Sequence, residues 1–303
     1  MIIQTPLYKM HYTDGYNHFY VKRDDLLPFS FGGNKYRKAL LYFETILKKG
    51  YKTVVTVGSA SSNHCRIIAN LAKKHALKCY IVSPKESEKT AYNRTMTELL
   101  DAEIITPEKA DMKVTIDSLI HTLVAENKKP FYIKLGGHGL LGTQAYKEAY
   151  EEIYRDKEYP FDYIFLATGT GTTQAGLVVG KMLHGGSEEI MGISVLSKYE
   201  QVFKHVHESI LEYIDEHDLH FDTLPIQITD DYLAGGYGQS NEALNQIIKT
   251  ILALDGIALD PVYTAKGFWG MVEHLKKQNI KNKKVLFIHT GGAPIFFDAL
   301  NQL

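Results

Sequence analysis

Short apolar runs alternate with longer amphipathic stretches along almost the whole chain, and this alternation constrains the fold more than any other feature. Strands are expected at 53–57, 78–82, 103–106, 131–135, 163–167, 191–195, 226–229 and 285–289. Helices are expected at 35–49, from a Ser61 or Ser62 cap to 75, at 88–100, through 124, and at 141–154, 173–183, 200–217, 241–254 and 264–276. Strands separated by helices imply right-handed crossovers, and therefore parallel sheets covered on both faces. So many strands need two sheets. With 303 residues the chain is comfortable as two domains. No repeat and no Pro/Gly/Ser-rich linker marks a boundary, so one domain is expected to be inserted in the other.

The formal net charge of −1 gives no basic surface for nucleic acid. No segment reaches the roughly 20 apolar residues of a membrane span, and Met1 to Met10 have no signal-peptide character. A cytoplasmic protein is the expectation. The two cysteines, Cys65 and Cys79, fall in an expected helix and strand and read as buried, reduced thiols.

Chemistry concentrates in turns. In Phe31-Gly32-Gly33-Asn34-Lys35-Tyr36-Arg37-Lys38, paired glycines allow close backbone approach and a lysine opens a helix beside other cations. Neighbouring positive charge disfavours the ammonium and frees Lys35 as a nucleophile. Taken alone, the segment is equally a surface helix start with solvated lysines. Gly169-Thr170-Gly171-Thr172-Thr173 joins a strand to a helix and could cradle a phosphate on backbone N–H groups. It is neither a Walker loop nor a complete dinucleotide fingerprint. Gly58-Ser59-Ala60-Ser61-Ser62-Asn63-His64 is a similar turn, suited to a carboxylate or to simple capping by serine. Gly236-Tyr237-Gly238 and the run from Asp260-Pro261 through Tyr263, Thr264 and Lys266 place tyrosines on loops. In a chain with 20 tyrosines neither is decisive alone. His289-Thr290-Gly291-Gly292 is a further strand-to-turn element, weak by itself.

In this order the segments resemble the tryptophan-synthase-β-like, fold type II enzymes dependent on pyridoxal 5′-phosphate (PLP). Within them the chain looks like the 1-aminocyclopropane-1-carboxylate deaminase/D-cysteine desulfhydrase family. The matching segments are Gly32–Lys38, Ser62 to His64, Gly169–Gly176, Tyr237-Gly238, Asp260–Lys266 and His289–Gly292, which span nearly the whole chain. The resemblance implies that Lys35 carries the cofactor covalently. Lys38 and the loop Gly169, Thr170, Gly171, Thr172 and Thr173 would hold its phosphate, and Asn63 would bond its ring oxygen. Ser62, Tyr237 and Tyr263 would act on the substrate, with Thr264 facing the pyridine nitrogen. No metal ligands are implied. The fold implied is α/β with two domains, each with a mainly parallel sheet covered by helices: 1–44 with 146–303 as the large domain and 45–145 as the small one.

A neutral threonine at 264, where the deaminases have a glutamate, implies a weaker electron sink and favours β-elimination, as on D-cysteine. Ser61 departs from the family, which has glutamine before the Ser-Asn pair, and leaves another small amino acid open as substrate. A ligand-binding relative without activity is a rival that need not keep Lys35 together with the whole phosphate loop. A homodimer is implied by resemblance only.

Overall fold

Residues 163–168 read Tyr-Ile-Phe-Leu-Ala-Thr, and five of the six are buried. A strand without polar alternation needs cover on both faces, and the computed structural model, which describes residues 4–85, 91–236 and 238–303, supplies it. The strands are β1 (Leu7–Lys9), β2 (His18–Arg23), β3 (Thr53–Val57), β4 (Lys78–Val82), β5 (Glu103–Ile105), β6 (Pro130–Ile133), β7 (Tyr163–Thr168), β8 (Glu189–Ser194), β9 (Gln227–Thr229) and β10 (Lys284–His289). The helices are α1 (Asn34–Lys48), α2 (Asn63–Lys74), α3 (Tyr92–Leu99), α4 (Met112–Ala125), α5 (Leu140–Tyr154), α6 (Thr172–His184), α7 (Tyr199–Glu216), α8 (Glu242–Asp255), α9 (Thr264–Lys277) and α10 (Ala293–Ala299).

Two sheets form, as expected for an α/β chain of this kind. The six-stranded sheet has the order β1-β2-β10-β7-β8-β9, and the four-stranded sheet β5-β4-β3-β6. Every pairing is parallel except β1 with β2. Alternation along the strands divides the larger core in two. Val21, Phe165, Ile193 and Phe287 face α8 and α9, packing with Leu244, Ile248 and Phe268. Ile164, Leu166, Leu286 and Ile288 face the other way, onto Tyr146 and Tyr150 of α5, Val178 of α6 and Ile210 of α7.

The third core surrounds the small sheet. Ala39, Phe43 and Ile46 of α1 lie in it with Val54, Ile67, Ile68 and Ile133. Their spacing is one face of a 3.6-residue helix. The expected domain boundary after residue 44 thus falls inside α1, whose apolar side belongs to the small-sheet core.

Four elements depart from the sequence reading. Strands β1 and β2 and the short helix α10 were not expected. Helix α3 begins at Tyr92 rather than 88, and 86–90 lie outside the described residues. Cys65 and Cys79 are free and buried, and burial pushes their thiols up to about 11 and about 12. Among the described residues no helix is long and apolar enough to cross a membrane.

Candidate active site

Both sheets present the carboxyl ends of their strands to a common cavity of about 640 Å³, the usual placement of a ligand in parallel α/β folds. The turn after β3, the loop after β7 and the turn after β10 all reach it, as does the start of α1.

Lys35 enters because two backbones meet. Asn34 N donates to Thr290 O at 3.0 Å. A Cβ on Gly33 would lie 2.7 Å from the same oxygen, and Gly33 has φ +95°. Only glycine fits there. Lys35 Nζ then donates to Gly136 O at 3.1 Å. Its amine forms no ion pair among the described residues, and burial lowers its pKa from 10.5 to about 8. A substantial fraction is therefore neutral and nucleophilic near physiological pH. The cationic neighbours invoked from the sequence are not the first cause. Arg37 turns away to carboxylates, and it is burial, not repulsion, that shifts Lys35.

The loop after β7 brings Gly169, Thr170, Gly171 and Thr173 to the cavity. Gly171, at φ +90°, stands at the head of α6 with no side chain capping the helix, so the first N–H groups are free for an anion. A Cβ there would meet the backbone of His205 and Val206 at 2.9 Å, so this glycine lets the loop pack on α7. Thr173 Oγ1 accepts from Asn34 Nδ2 at 3.1 Å, tying the loop to α1. Lys38 and Thr172 stand behind the wall, where Lys38 Nζ donates to Thr172 Oγ1 at 2.6 Å. Burial, and then the charge of Lys35, push Lys38 well below 10.5.

Ser62, Asn63 and His64 line the opposite wall at the start of α2. Ser62 Oγ caps the helix by accepting from Cys65 N at 3.2 Å, which leaves its hydroxyl hydrogen for the cavity. Thr56 Oγ1 donates to Ile133 O, so it accepts from His64 Nε2 at 2.8 Å. That fixes the tautomer and leaves His64 Nδ1 a bare acceptor. Burial, aided by Lys35 and Lys38, holds His64 neutral, well below 6.5.

Tyr263 lines the cavity and Thr264 does not. The Thr264 hydroxyl donates to Asp260 Oδ2 and accepts from Asp260 N, both at 2.7 Å, and the residue is fully buried. It fixes the turn in which Asp260 Oδ1 accepts from Tyr263 N at 2.8 Å. Thr290 lines the cavity instead, as do Asn34 and Gly136. The sequence marked the turn that carries Thr290 but gave that residue no role. Tyr237 lies outside the described residues. Among the described residues no Asp or Glu lines the cavity, and no group of three or more His, Cys, Asp or Glu could hold a metal ion.

A buried amine whose pKa is lowered to about 8, an uncapped helix start and a wall of hydroxyl and amide groups fit an aldehyde that also carries a phosphate. PLP is such a molecule, and these residues fit it.

Comparison with known proteins agrees. The chain is 33% identical over 313 residues to the D-cysteine desulfhydrase of Serratia proteamaculans, covering 97% of this chain and 92% of that one. It is 34% identical over 292 residues to that of Salmonella paratyphi A, covering 92% and 88%. A crystal structure of an ACC deaminase homologue superposes with a TM-score of 0.90 at 31% identity, covering 99% and 93%. A hydrogen sulfide-producing enzyme from Fusobacterium nucleatum, at 20% identity and a TM-score of 0.68, covers 97% of each chain and shares the fold. The family described as "Pyridoxal-phosphate dependent enzyme" matches residues 1–291, and the chain belongs to that family of PLP-dependent enzymes.

Proposed function

We propose that the chain eliminates the β-substituent of a small amino acid, with D-cysteine as the first candidate: D-cysteine and water yield pyruvate, ammonia and hydrogen sulfide. The observation that carries this is Lys35, an amine of pKa about 8 with no ion pair among the described residues, in a cavity to which none of them brings a carboxylate. The relatives named D-cysteine desulfhydrase support the choice of substrate.

When bound, PLP supplies an aldehyde that condenses with amines and a ring that delocalises the electron pair left at Cα. Lys35 Nζ would carry PLP at rest and take the Cα proton once the substrate amine replaces it. The head of α6 would hold the phosphate, backed by Lys38 and Thr172. Ser62 and the N–H groups opening α2 would orient the substrate carboxylate. The Tyr263 phenol would move a proton at the leaving group. Tyr237 keeps its expected substrate role, and Lys266 Nζ, donating to Leu233 O and Gly236 O at 2.9 and 2.5 Å, anchors the chain just before it. For the pyridine nitrogen we favour the Thr290 hydroxyl over Thr264, since Thr264 has both of its bonds within the Asp260 turn. Either threonine is neutral, which suits a carbanion discharged quickly by a good leaving group.

Ring opening of 1-aminocyclopropane-1-carboxylate is the second reading, favoured by the resemblance to the ACC deaminase homologue. That substrate has no Cα hydrogen, so Lys35 would have no proton to take. Release of 2-oxo acid from D-cysteine, L-cysteine, D-serine and the cyclopropane amino acid, assayed side by side, separates the readings. D-cysteine is expected to dominate. Preference for the cyclopropane substrate or for L-cysteine overturns the proposal.

The domain assignment, 1–44 with 146–303 against 45–145, is also proposed. The division of strands between sheets supports it, and the packing of α1 favours moving the first boundary to its start. A cytoplasmic homodimer completes the reading, and sedimentation equilibrium tests its stoichiometry.

A further inference from the structure

Arg66, in the first turn of α2, is 1% exposed and has no carboxylate partner among the described residues. Its Nη1 donates to Asn63 Oδ1 at 2.8 Å and to Asn93 Oδ1 at 2.6 Å. Nη2 donates to Ser30 O at 2.8 Å and Nε to Ser30 Oγ at 3.3 Å. The Phe31 ring lies 5.5 Å away. Every one of these neighbours is neutral. A buried cation ordinarily has an anion beside it.

Asn93 is fully buried, and its Nδ2 donates to Ser61 O at 2.7 Å and to Asn63 Oδ1 at 3.0 Å. Asn63 Oδ1 therefore receives two N–H groups and has no lone pair left. Turned the other way, the Asn63 amide would set its own N–H groups against those of Arg66. Its orientation is thus fixed by the network. Asn63 lines the cavity, and what it can offer there is N–H alone.

We propose that Arg66 and Asn93 are positioning residues that make Asn63 an obligatory donor and, through it, project the unmatched charge of Arg66 onto an anionic oxygen of the cavity's occupant. On the reading given above, on which this rests, that oxygen belongs to the PLP ring. A donor backed by a cation lowers the proton affinity of the oxygen it faces. The same guanidinium holds Ser30 and Phe31, at φ +50° and +58°, in a conformation L residues rarely adopt. The charge that polarises Asn63 thereby tethers the chain just ahead of Lys35.

The test is the pH titration of the visible absorbance of the PLP-loaded protein, with cofactor content measured on the same samples. Arg66→Gln removes the charge, and the midpoint is expected to rise by about one unit, a roughly tenfold gain in proton affinity. Arg66→Lys keeps the charge and is expected to return most of that shift. Asn93→Ala leaves the charge but frees one side of the Asn63 oxygen, and should move the midpoint the same way by less. A purely structural role would change stability and leave the midpoint alone. A folded, loaded Arg66→Gln with the wild-type midpoint overturns the proposal, as does an Arg66→Lys no closer to wild type than the glutamine variant. If Arg66→Gln does not fold, Asn93→Ala decides, and an unmoved midpoint there overturns it. A wild-type protein that takes up no PLP is a different result and sinks the cofactor reading instead.

Discussion

Arg37 and Arg66 are both guanidinium groups buried within a few residues of the cavity wall, and their surroundings are opposite. Arg37 donates to both oxygens of Asp24 at 2.8 and 2.9 Å and to both of Glu152 at 2.6 and 3.0 Å. Lys22 Nζ joins Glu152 at 2.7 Å, and Tyr146 donates to Asp24. Two cations and two anions cancel, and partners from β2, the turn after it, α1 and α5 are locked together. Arg66 has amides, a serine and an aromatic ring. The matched cluster has no charge to spare and anchors the helix that carries Lys35. Of the groups without a counter-charge among the described residues, Lys35 lines the cavity and Arg66 touches it only through Asn63. Charge balance thus separates what holds the fold from what serves the site.

Breaking the matched cluster should have the largest effect. Asp24→Asn leaves Arg37 and Lys22 without half their counter-charge and is expected to cost about 3–5 kcal/mol in urea unfolding. A loss under about 1 kcal/mol would show that the cluster is no anchor. The wild-type contribution also depends on pH. Burial opposes ionisation of Asp24, but Arg37, then Lys22 and the Tyr146 hydroxyl, hold its carboxyl below the usual range. A depressed acid contributes stability above its unfolded pKa and loses it as pH falls through the folded one. Wild type should therefore approach Asp24→Asn in strongly acidic solution.

Removing an unmatched group should have the opposite sign. Lys35→Met is expected to stabilise the cofactor-free protein by about 2 kcal/mol at pH 7. The folded pKa of about 8 lies below the ordinary 10.5, so the unfolded chain binds more protons between those values and wild-type stability rises with pH there. The advantage of methionine should shrink above pH 8 and vanish near 10.5. A variant less stable than wild type at every pH would contradict this. Borohydride treatment of loaded wild type should leave a pyridoxyl adduct on Lys35, seen by mass spectrometry, and none in the variant.

The smallest effect is expected where one group serves both purposes. Ser62 caps α2 and faces the cavity. Ser62→Ala should cost about 1 kcal/mol of stability while lowering turnover far more than that loss explains. Equal, slight effects on both would assign Ser62 to capping alone.

Much of this was legible from the chain, because strands such as Thr53–Val57 and the turns at Gly169 and Ser62 carry their signals locally. Strand β2 was not, since His-Phe-Tyr-Val-Lys-Arg places two cations in a buried strand whose compensation comes from Glu152 and Asp25. No window on the sequence contains Lys22 and Glu152 together. Thr264 was assigned by its place in a motif, and only the Asp260 turn shows where its hydroxyl goes. Arg66 and Asn93 gave no signal at all, because their meaning lies in which neighbours are absent.

Strand β2 pairs with β10 along its full length, from His18 opposite Lys284 to Arg23 opposite His289. The large sheet therefore joins a strand made early to one made late. During synthesis the small sheet, complete at Ile133, can form while β10 is still unmade. The first two strands must wait, pairing only with each other, and so must the seat of Asn34 on the Thr290 carbonyl. Contacts so distant in sequence close slowly. A ribosome-bound or truncated chain lacking its last strand should thus have a folded small sheet and no seat for Lys35, so nascent fragments cannot capture the cofactor ahead of the finished enzyme.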